Sequence, residues 1–489
     1  MLLAVAVITR SPWRPTNLLF FAFAGAPPFL KGGALPFPYR RPAFAPSRIS
    51  CGGDGRAVCY HNRRSDALIR RRFLKLSRMA FLWALVLALP LLGHPQAVPI
   101  VSARAAAIHN SALVIDMHED TPQRFLDENY DIGSTDPKDP DFISLDKATA
   151  GNLGAVFFSI WVDPATNQGR FAKRSLELMD AVYEQAARHP DRMVVCFSAD
   201  DIERAHAGHK LAALMGIEGG HSIESSLGLL REFYRLGARY MTLTWRNTNE
   251  WADSSGDLDD STVPHHGGLT EFGKTVVLEM NRLGMMVDIS HVSDKTFWDT
   301  VAISKAPIIA SHSSSRALID NPRNITDDML RAIAKNGGVA NVNFDSGFLD
   351  QKFDQDFVAR TGRMLEAERD FFAAERSRGQ AVTSADTQSF ESQWMNSNPL
   401  PSAPLKSLID HIDHMVKVAA VDHVGLGSDY DGPGSLPTGI ETAAGLPRIT
   451  QGLLDRGYSP DDIRKILGGN MLRVLRDVER VGRNLRANQ

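Results

Sequence analysis

Between residues 113 and 427 the chain alternates short apolar runs with longer stretches whose apolar residues recur every three to four positions. The runs fall at 113–116, 155–162, 211–217, 240–245, 285–290, 307–311, 338–344 and 423–427. Runs this short, bounded by helical stretches, predict strands buried on both faces of a parallel sheet. The helical periodicity covers 173–188, 222–236, 270–283, 293–304, 327–335 and 405–420. Strand and helix in alternation predict β/α units. Eight such units predict a closed α/β fold, a (β/α)8 TIM-like barrel. The competing architecture, an open doubly wound sheet, gathers its site at one switch point rather than drawing on five strands. A polar, charged insertion at 351–404 follows the seventh strand, with a helical stretch around 364–378. It is expected above the catalytic rim, as a lid, a substrate contact, a dimer contact or a plain solvated decoration. Residues 450–482 read as packing helices, with Ile463, Ile466 and Leu467 on one face.

Five of the apolar runs stop at a histidine or a carboxylate. They are Val114-Ile115-Asp116-Met117-His118-Glu119-Asp120, Met215-Gly216-Ile217-Glu218, Val287-Asp288-Ile289-Ser290-His291, Ile308-Ile309-Ala310-Ser311-His312 and Val424-Gly425-Leu426-Gly427-Ser428-Asp429. In a parallel barrel these ends share one rim, where catalytic groups gather. His118 and Asp120 are two apart, so in extended backbone both side chains point the same way and can grip one ion. Glu218 has two oxygens and can bridge two ions, and Gly219-Gly220 beside it permit close backbone approach. Neutral imidazoles at His291 and His312 suit zinc or a similar borderline cation. Taken singly, each has a bland reading: a satisfied structural histidine, or a glutamate favoured by the dipole of the next helix. Five at equivalent strand ends favour a metal centre.

The expected division is His118, Asp120 and Glu218 around one ion, with Glu218, His291 and His312 around the second. A hydroxide between the ions would attack a carbonyl. Asp429 is the expected proton-transfer group, with Asp431 as its competitor. Asp288 either supports the site or simply packs the barrel.

Charge is divided along the chain. The formal net of −3 combines a head of 78 residues, holding 14 basic and 2 acidic side chains, with a remainder holding 40 basic and 55 acidic. An acidic body argues against phosphate backbones as partners, so no nucleic acid is expected. Within the head, Ile69-Arg70-Arg71-Arg72-Phe73-Leu74-Lys75 precedes an apolar stretch at 80–92 and small residues at Ala97 and Ser102-Ala103-Arg104-Ala105. That is the layout of a secretory signal, and its arginines resemble a twin-arginine export signal. The apolar centre is short for a membrane span. Residues 1–68 are expected to be a non-native or disordered extension, 69–105 the signal, 106–482 the catalytic domain and 483–489 a tail. The expected location is periplasmic or extracellular, without a stable membrane anchor after cleavage. Cys51 and Cys59 lie in the head, so only Cys196 remains, as a buried small hydrophobe without a disulfide partner.

Taken together, these motifs resemble the membrane dipeptidase (renal dipeptidase) family of zinc peptidases. They are Asp116-Met117-His118-Glu119-Asp120, Gly216-Ile217-Glu218-Gly219-Gly220-His221-Ser222-Ile223, Val287-Asp288-Ile289-Ser290-His291, Ser311-His312-Ser313-Ser314, Asn321-Pro322-Arg323-Asn324, Gly427-Ser428-Asp429-Tyr430-Asp431-Gly432 and Gly468-Gly469-Asn470. They run in order over about 105–482. The resemblance implies a barrel dipeptidase with two Zn2+ per chain, broad specificity for dipeptide substrates, and a homodimer. By the same likeness His118 and Asp120 bind the first zinc, Glu218 bridges, His291 and His312 bind the second, Arg323 grips the terminal carboxylate of the dipeptide, and Asp429 moves the proton. Two positions depart. Trp245 stands where many members have a histidine that contacts substrate, and Asp345 stands where the renal enzyme has a tyrosine near it. An indole offers one donor and accepts no proton, so substrate preference and rate are in question at Trp245.

Two other classes compete. One is another barrel amidohydrolase, an N-acyl-amino-acid deacylase or lactonase. Many of those bridge their metals with a modified lysine after strand four, where no lysine is found here. The other is an inactive metal-binding envelope protein, for which Trp245 speaks and Asp429 does not.

Overall fold

The computed structural model describes residues 99–136, 142–378, 380 and 382–488. The expected 1–68 extension, and the expected signal as far as residue 98, lie outside them. Nine strands form one parallel sheet: β1 (Val114–Glu119), β2 (Leu153–Trp161), β3 (Met193–Val195), β4 (Leu211–Glu218), β5 (Ala238–Thr242), β6 (Met286–Asp288), β7 (Ile308–Ala310), β8 (Val339–Val342) and β9 (Val424–Leu426). The ladder runs β1-β2-β4-β5-β6-β7-β8-β9. Its two ends meet: the Asp429 N–H donates to the His118 carbonyl at 2.9 Å and the Asp120 N–H to the Tyr430 carbonyl at 2.8 Å. All eight runs read from the sequence are the eight barrel strands. The sequence reading missed β3, which pairs Met193–Val195 with the first three residues of β4, before β5 takes over that edge at Met215.

Side chains of the strands divide by the two-residue period. Along β4, Ala212 and Leu214 join the interior cluster with Ile115, Phe157, Tyr240, Met286 and Ile309, while Ala213, Met215 and Ile217 join the cluster under the helices. Interior parity therefore carries Glu218 inward at the rim. The helix Asn470–Ala487 adds Met471, Val474, Leu475 and Val478 to the interior cluster. Cys196 is buried within it, and burial pushes its thiol up to about 12.

Helix starts follow the sequence. Thr270, Ser293 and Thr326 accept backbone N–H bonds as N-caps of Glu271–Leu283, Asp294–Ile303 and Asp327–Asn336. Gly284 and Gly337 end two of these in the left-handed conformation. Ser102 caps the first described helix, Ala103–Asn110, and its N–H bonds the Gln451 side chain, so the fold is already under way at that residue. The insertion follows β8, the seventh barrel strand. It is a helical pair, Gln351–Ser377 and Ser384–Ser397, with Phe371 stacked on Phe390 at 4.8 Å. At its base, the Ala403 N–H and the Ser435 hydroxyl both reach the Ser346 hydroxyl. Among the described residues no helix is long and apolar enough to cross a membrane.

One glycine inside the barrel has a steric reason. A Cβ on Gly216 would lie 1.9 Å from Cζ of the Tyr240 ring. Gly216→Ala must displace that ring within a packed interior, and overpacking of this kind costs about 1–3 kcal/mol. Calorimetric unfolding should show the loss; an unchanged transition temperature would mean that the ring does not occupy this space.

Candidate metal centre

Five strand ends bring their polar side chains together. Glu218 closes β4, and its two oxygens are divided. Oε2 lies 3.3 Å from His118 Nε2 and accepts from the Ser159 hydroxyl at 2.9 Å; Oε1 lies 2.8 Å from His291 Nε2 and 3.5 Å from His312 Nε2. His118 Nε2 is also 3.5 Å from Asp120 Oδ1 and 3.9 Å from Asp429 Oδ1. The His118 and His312 rings stack with centroids 3.7 Å apart, and the Nε2 atoms of His291 and His312 face each other at 3.1 Å. His291 and Asp429 turn inward from their strands through left-handed backbone, each at φ 65°. That conformation is uncommon outside glycine, is several-fold enriched for these residue types, and collects at functional sites.

The far sides of the His118 and His312 imidazoles are fixed. His118 Nδ1 meets the Tyr240 hydroxyl at 2.8 Å. His312 Nδ1 meets the Ser311 hydroxyl at 2.7 Å, and Ser311 in turn donates to Asp288 Oδ2 at 2.6 Å. Asp288 also accepts from the Ser311 N–H and from the Thr242 hydroxyl. It thus does both things the sequence left open: it ties β5, β6 and β7 together and orients His312 through Ser311.

The donor set fits a divalent cation. His118 Nε2 and Asp120 Oδ1 are buried without a hydrogen-bond partner, which costs free energy unless something positive lies between them. Burial, then the nearby Arg323 charge, pushes His291 down to about 3; burial and His118 hold His312 well below its ordinary value. Both are neutral and offer lone pairs. Burial opposes ionisation of Glu218, yet the three histidines hold it well below the usual carboxylate range. His118 moves the other way: against burial, Tyr240, Glu218 and Asp120 raise its affinity for a proton. A metal ion would take the place of that proton. Asp429 is pushed up to about 8 by burial and by Asp120, while the Asn343 amide donates to its Oδ2 at 2.9 Å. Two groups of three lie close enough to share an ion, His118–Glu218–His312 and His118–Asp120–Asp429.

Residues 102–489 match the family model described as membrane dipeptidase, peptidase family M19. The chain belongs to the membrane dipeptidase family. Dipeptidase 3 of Homo sapiens is 33% identical over 399 residues, covering 81% of this chain and 71% of its own. The probable dipeptidase PvdM from Pseudomonas aeruginosa is 27% identical with TM-score 0.65, covering 77% of this chain and 98% of that structure. A Rhodobacter sphaeroides metallopeptidase, solved with a phosphinate mimic of L-Ala-D-Ala, shares the fold at 24% identity and TM-score 0.58 over 75% and 99% of the two chains. The chain is therefore a hydrolase of the metallopeptidase class, built on the dipeptidase barrel.

Membership places the remaining sequence candidates in context. Arg323 reaches the site from the loop after β7. Its guanidinium donates to the Ser313 hydroxyl at 2.6 Å and to the His312 carbonyl at 3.0 Å, leaving Nε without an acceptor. Trp245 lies three residues past β5 rather than within it, because that strand ends at Thr242; its indole stacks on Trp161 at 5.1 Å. Asp345 is the N-cap of Ser346–Leu349, accepting from the Gly347 N–H at 2.7 Å, and burial pushes it up to about 6. Asp431 accepts from the Thr121 hydroxyl and pairs with Arg124, away from the imidazoles. Sequence reasoning did not single out Tyr240, Ser159 or Asn343. Tyr240 and Ser159 read as strand interior, whereas Asn343, just past β8, carries the rim position itself as its signal.

Behind His118 lies a second buried acidic pair. Glu119 is fully buried, neither of its oxygens has a hydrogen-bond partner, and Asp116 Oδ2 beside it also has none. Burial, then Asp116 and Asp431, raises Glu119 well above its ordinary value. The folded protein therefore keeps a proton that the unfolded chain releases above about pH 4.5, so this group removes stability as pH rises from there toward its folded value. Glu119→Gln should flatten that decline and raise the melting temperature at neutral pH, since an amide can donate to Asp116 without ionising. Melting curves from pH 4 to 8 are the measurement, and a variant that declines as steeply as the parent would contradict this account.

Proposed function

We propose that this chain is a binuclear zinc dipeptidase of broad specificity. The observation that carries the reading is the division of Glu218, with Oε2 toward His118 and Oε1 toward His291 and His312. A bridging carboxylate needs that disposition. His118, Asp120 and Glu218 would hold one Zn2+; Glu218, His291 and His312 would hold the other. Two such ions, when bound, activate a water and polarise the scissile carbonyl.

The chain's own residues supply the rest. Arg323 pairs with the terminal carboxylate, for which a planar guanidinium fork is suited. That contact holds the peptide bond over the cluster, and orientation of this kind lowers the entropic part of the barrier. Asp429, buried beside His118 and steadied by Asn343, takes a proton from the attacking water and returns it to the departing amine. Trp245 and Asp345 border the substrate side and set preference rather than the chemistry. Export through the signal expected at 69–105 is part of this reading; because Ser102 caps the first described helix, cleavage would fall at or before it, short of the expected boundary at 105. So are a homodimer and freedom from the membrane after cleavage.

Purified protein should hydrolyse simple L-dipeptides, lose activity to chelators and regain it with zinc. A panel set against N-acyl amino acids decides between the reading and its amidohydrolase competitor; turnover confined to the acyl compounds rejects it. Asp429→Asn should retain two metal ions by elemental analysis yet lose about 10²–10⁴-fold in kcat, the usual worth of a positioned acid–base group. Full turnover in that variant would move proton transfer elsewhere.

A further inference from the structure

Arg323 is held by the strand end that carries His312. One terminal nitrogen, Nη2, donates to the His312 carbonyl at 3.0 Å, and the other, Nη1, to the Ser313 hydroxyl at 2.6 Å. Its loop is stitched to the same segment through backbone: the Ile325 N–H donates to the Ser314 carbonyl and the Arg316 N–H to the Ile325 carbonyl, both at 2.8 Å. The Asn321 side chain accepts from the Arg323 N–H at 2.9 Å, and the guanidinium carbon lies 5.8 Å over the Phe348 ring.

A line of hydroxyls behind Ser313 makes it an acceptor. Ser290 Oγ lies 3.2 Å from Ser313 Oγ and 3.3 Å from Ser311 Oγ, and Ser311 Oγ lies 2.6 Å from Asp288 Oδ2. All four residues are buried. Each hydroxyl has a single proton, and a guanidinium accepts none. The Ser311 proton goes to the Asp288 carboxylate, so Ser290 gives its own to Ser311, and Ser313 gives its own to Ser290. The Ser313 lone pairs are thereby left facing Arg323. His312 Nδ1 joins the same line at Ser311. The candidate metal ligand and the guanidinium fork are thus both referred to one carboxylate, Asp288.

We propose that Ser313, backed by Ser290 and Ser311, fixes the span between Arg323 and the metal centre, so that the enzyme selects a C-terminal α-amino acid over a β-amino acid. This inference rests on the dipeptidase reading, in which Arg323 holds the terminal carboxylate, and deepens it. Ser313 is a positioning residue that acts through Arg323. In an α-amino acid one carbon separates the scissile nitrogen from the carboxylate, and a β-amino acid inserts another. A rigid fork meets the first with the scissile carbonyl still over the centre and misses the second. Misplacement on the order of 1 Å costs about a hundredfold in rate. A fork free to swing meets both.

L-alanyl-L-alanine and L-alanyl-β-alanine test it. The native enzyme should prefer the first by about a hundredfold in kcat/KM. Ser313→Ala takes the acceptor from Nη1, and a hydrogen bond to a charged group is worth about tenfold. It should lower kcat/KM for alanyl-alanine by that factor, chiefly through KM, and leave alanyl-β-alanine little changed, so the ratio falls to about ten. Ser290→Ala takes the acceptor from the Ser313 proton without touching Arg323, and should move the ratio the same way by less. Ser313→Thr keeps the hydroxyl and should keep the native ratio. Elemental analysis should find the native metal content in all three variants. A native ratio near one overturns the proposal. So does a Ser313→Ala variant in which both substrates fall by the same factor, or one that loses metal together with activity. Cleavage of alanyl-alanine by the native enzyme upholds the dipeptidase reading whichever way the ratio falls. Failure to cleave it removes that reading and the proposal with it.

Discussion

Glu218 is a carboxylate buried at the mouth of a closed barrel, and its surroundings are arranged to make that tolerable. An isolated buried carboxylate is strongly disfavoured and would take a proton. Here a hydroxyl from β2 and imidazoles from the ends of β1, β6 and β7 converge on its two oxygens. Two of the three imidazoles are then held from behind, His118 by Tyr240 and His312 by Ser311 and Asp288. That outer ring of contacts makes the geometry rigid, and rigidity lets neutral nitrogen lone pairs face one another at 3.1 Å. Remove the demand of Glu218 and most of the polar residues at the rim have no reason to be there.

The barrel was legible because a strand covered on both faces must be apolar throughout, and eight such runs stand out between amphipathic helices. β3 escaped because it has three residues and pairs with only the first turn of β4's edge. The metal-ligand candidates were legible because a parallel barrel sends every strand end to one rim, so spacing along the chain became proximity in space. Other residues were harder to place. Asp345 stands near the site, but its carboxylate caps a short helix, a role set by local backbone that no strand pattern announces. Trp245 was read as the last residue of a strand that in fact ends at Thr242. The chain leaves the sheet there, so Trp245 stands on the loop beyond the strand end. Tyr240 looked like core because it is core; its hydroxyl matters only once Gly216 leaves room for the ring.

The rim also shows a division of electrostatic labour. On the imidazole side the carboxyl groups of Asp120, Glu218 and Asp429 are concentrated; Glu218 is held ionised, whereas burial and Asp120 push Asp429 up to about 8. Beside them, Arg323 contributes a buried guanidinium, its charge favoured by Asp429, Glu218 and Asp288. A zwitterion with an amine at one end and a carboxylate at the other has a preferred direction in such a field. The field thus orients a ligand before any contact is made.

The seam of the barrel is closed by the segments that carry His118 and Asp429, more than three hundred residues apart in sequence. Ribosomal synthesis delivers β1 early and β9 nearly last. A nascent or truncated chain therefore cannot assemble the reactive centre, whatever ions are present, because one wall has not yet been made. Catalytic competence becomes a checkpoint on completeness: the cell is spared a half-formed hydrolase, and any protease clip that releases β9 from β1 switches the molecule off.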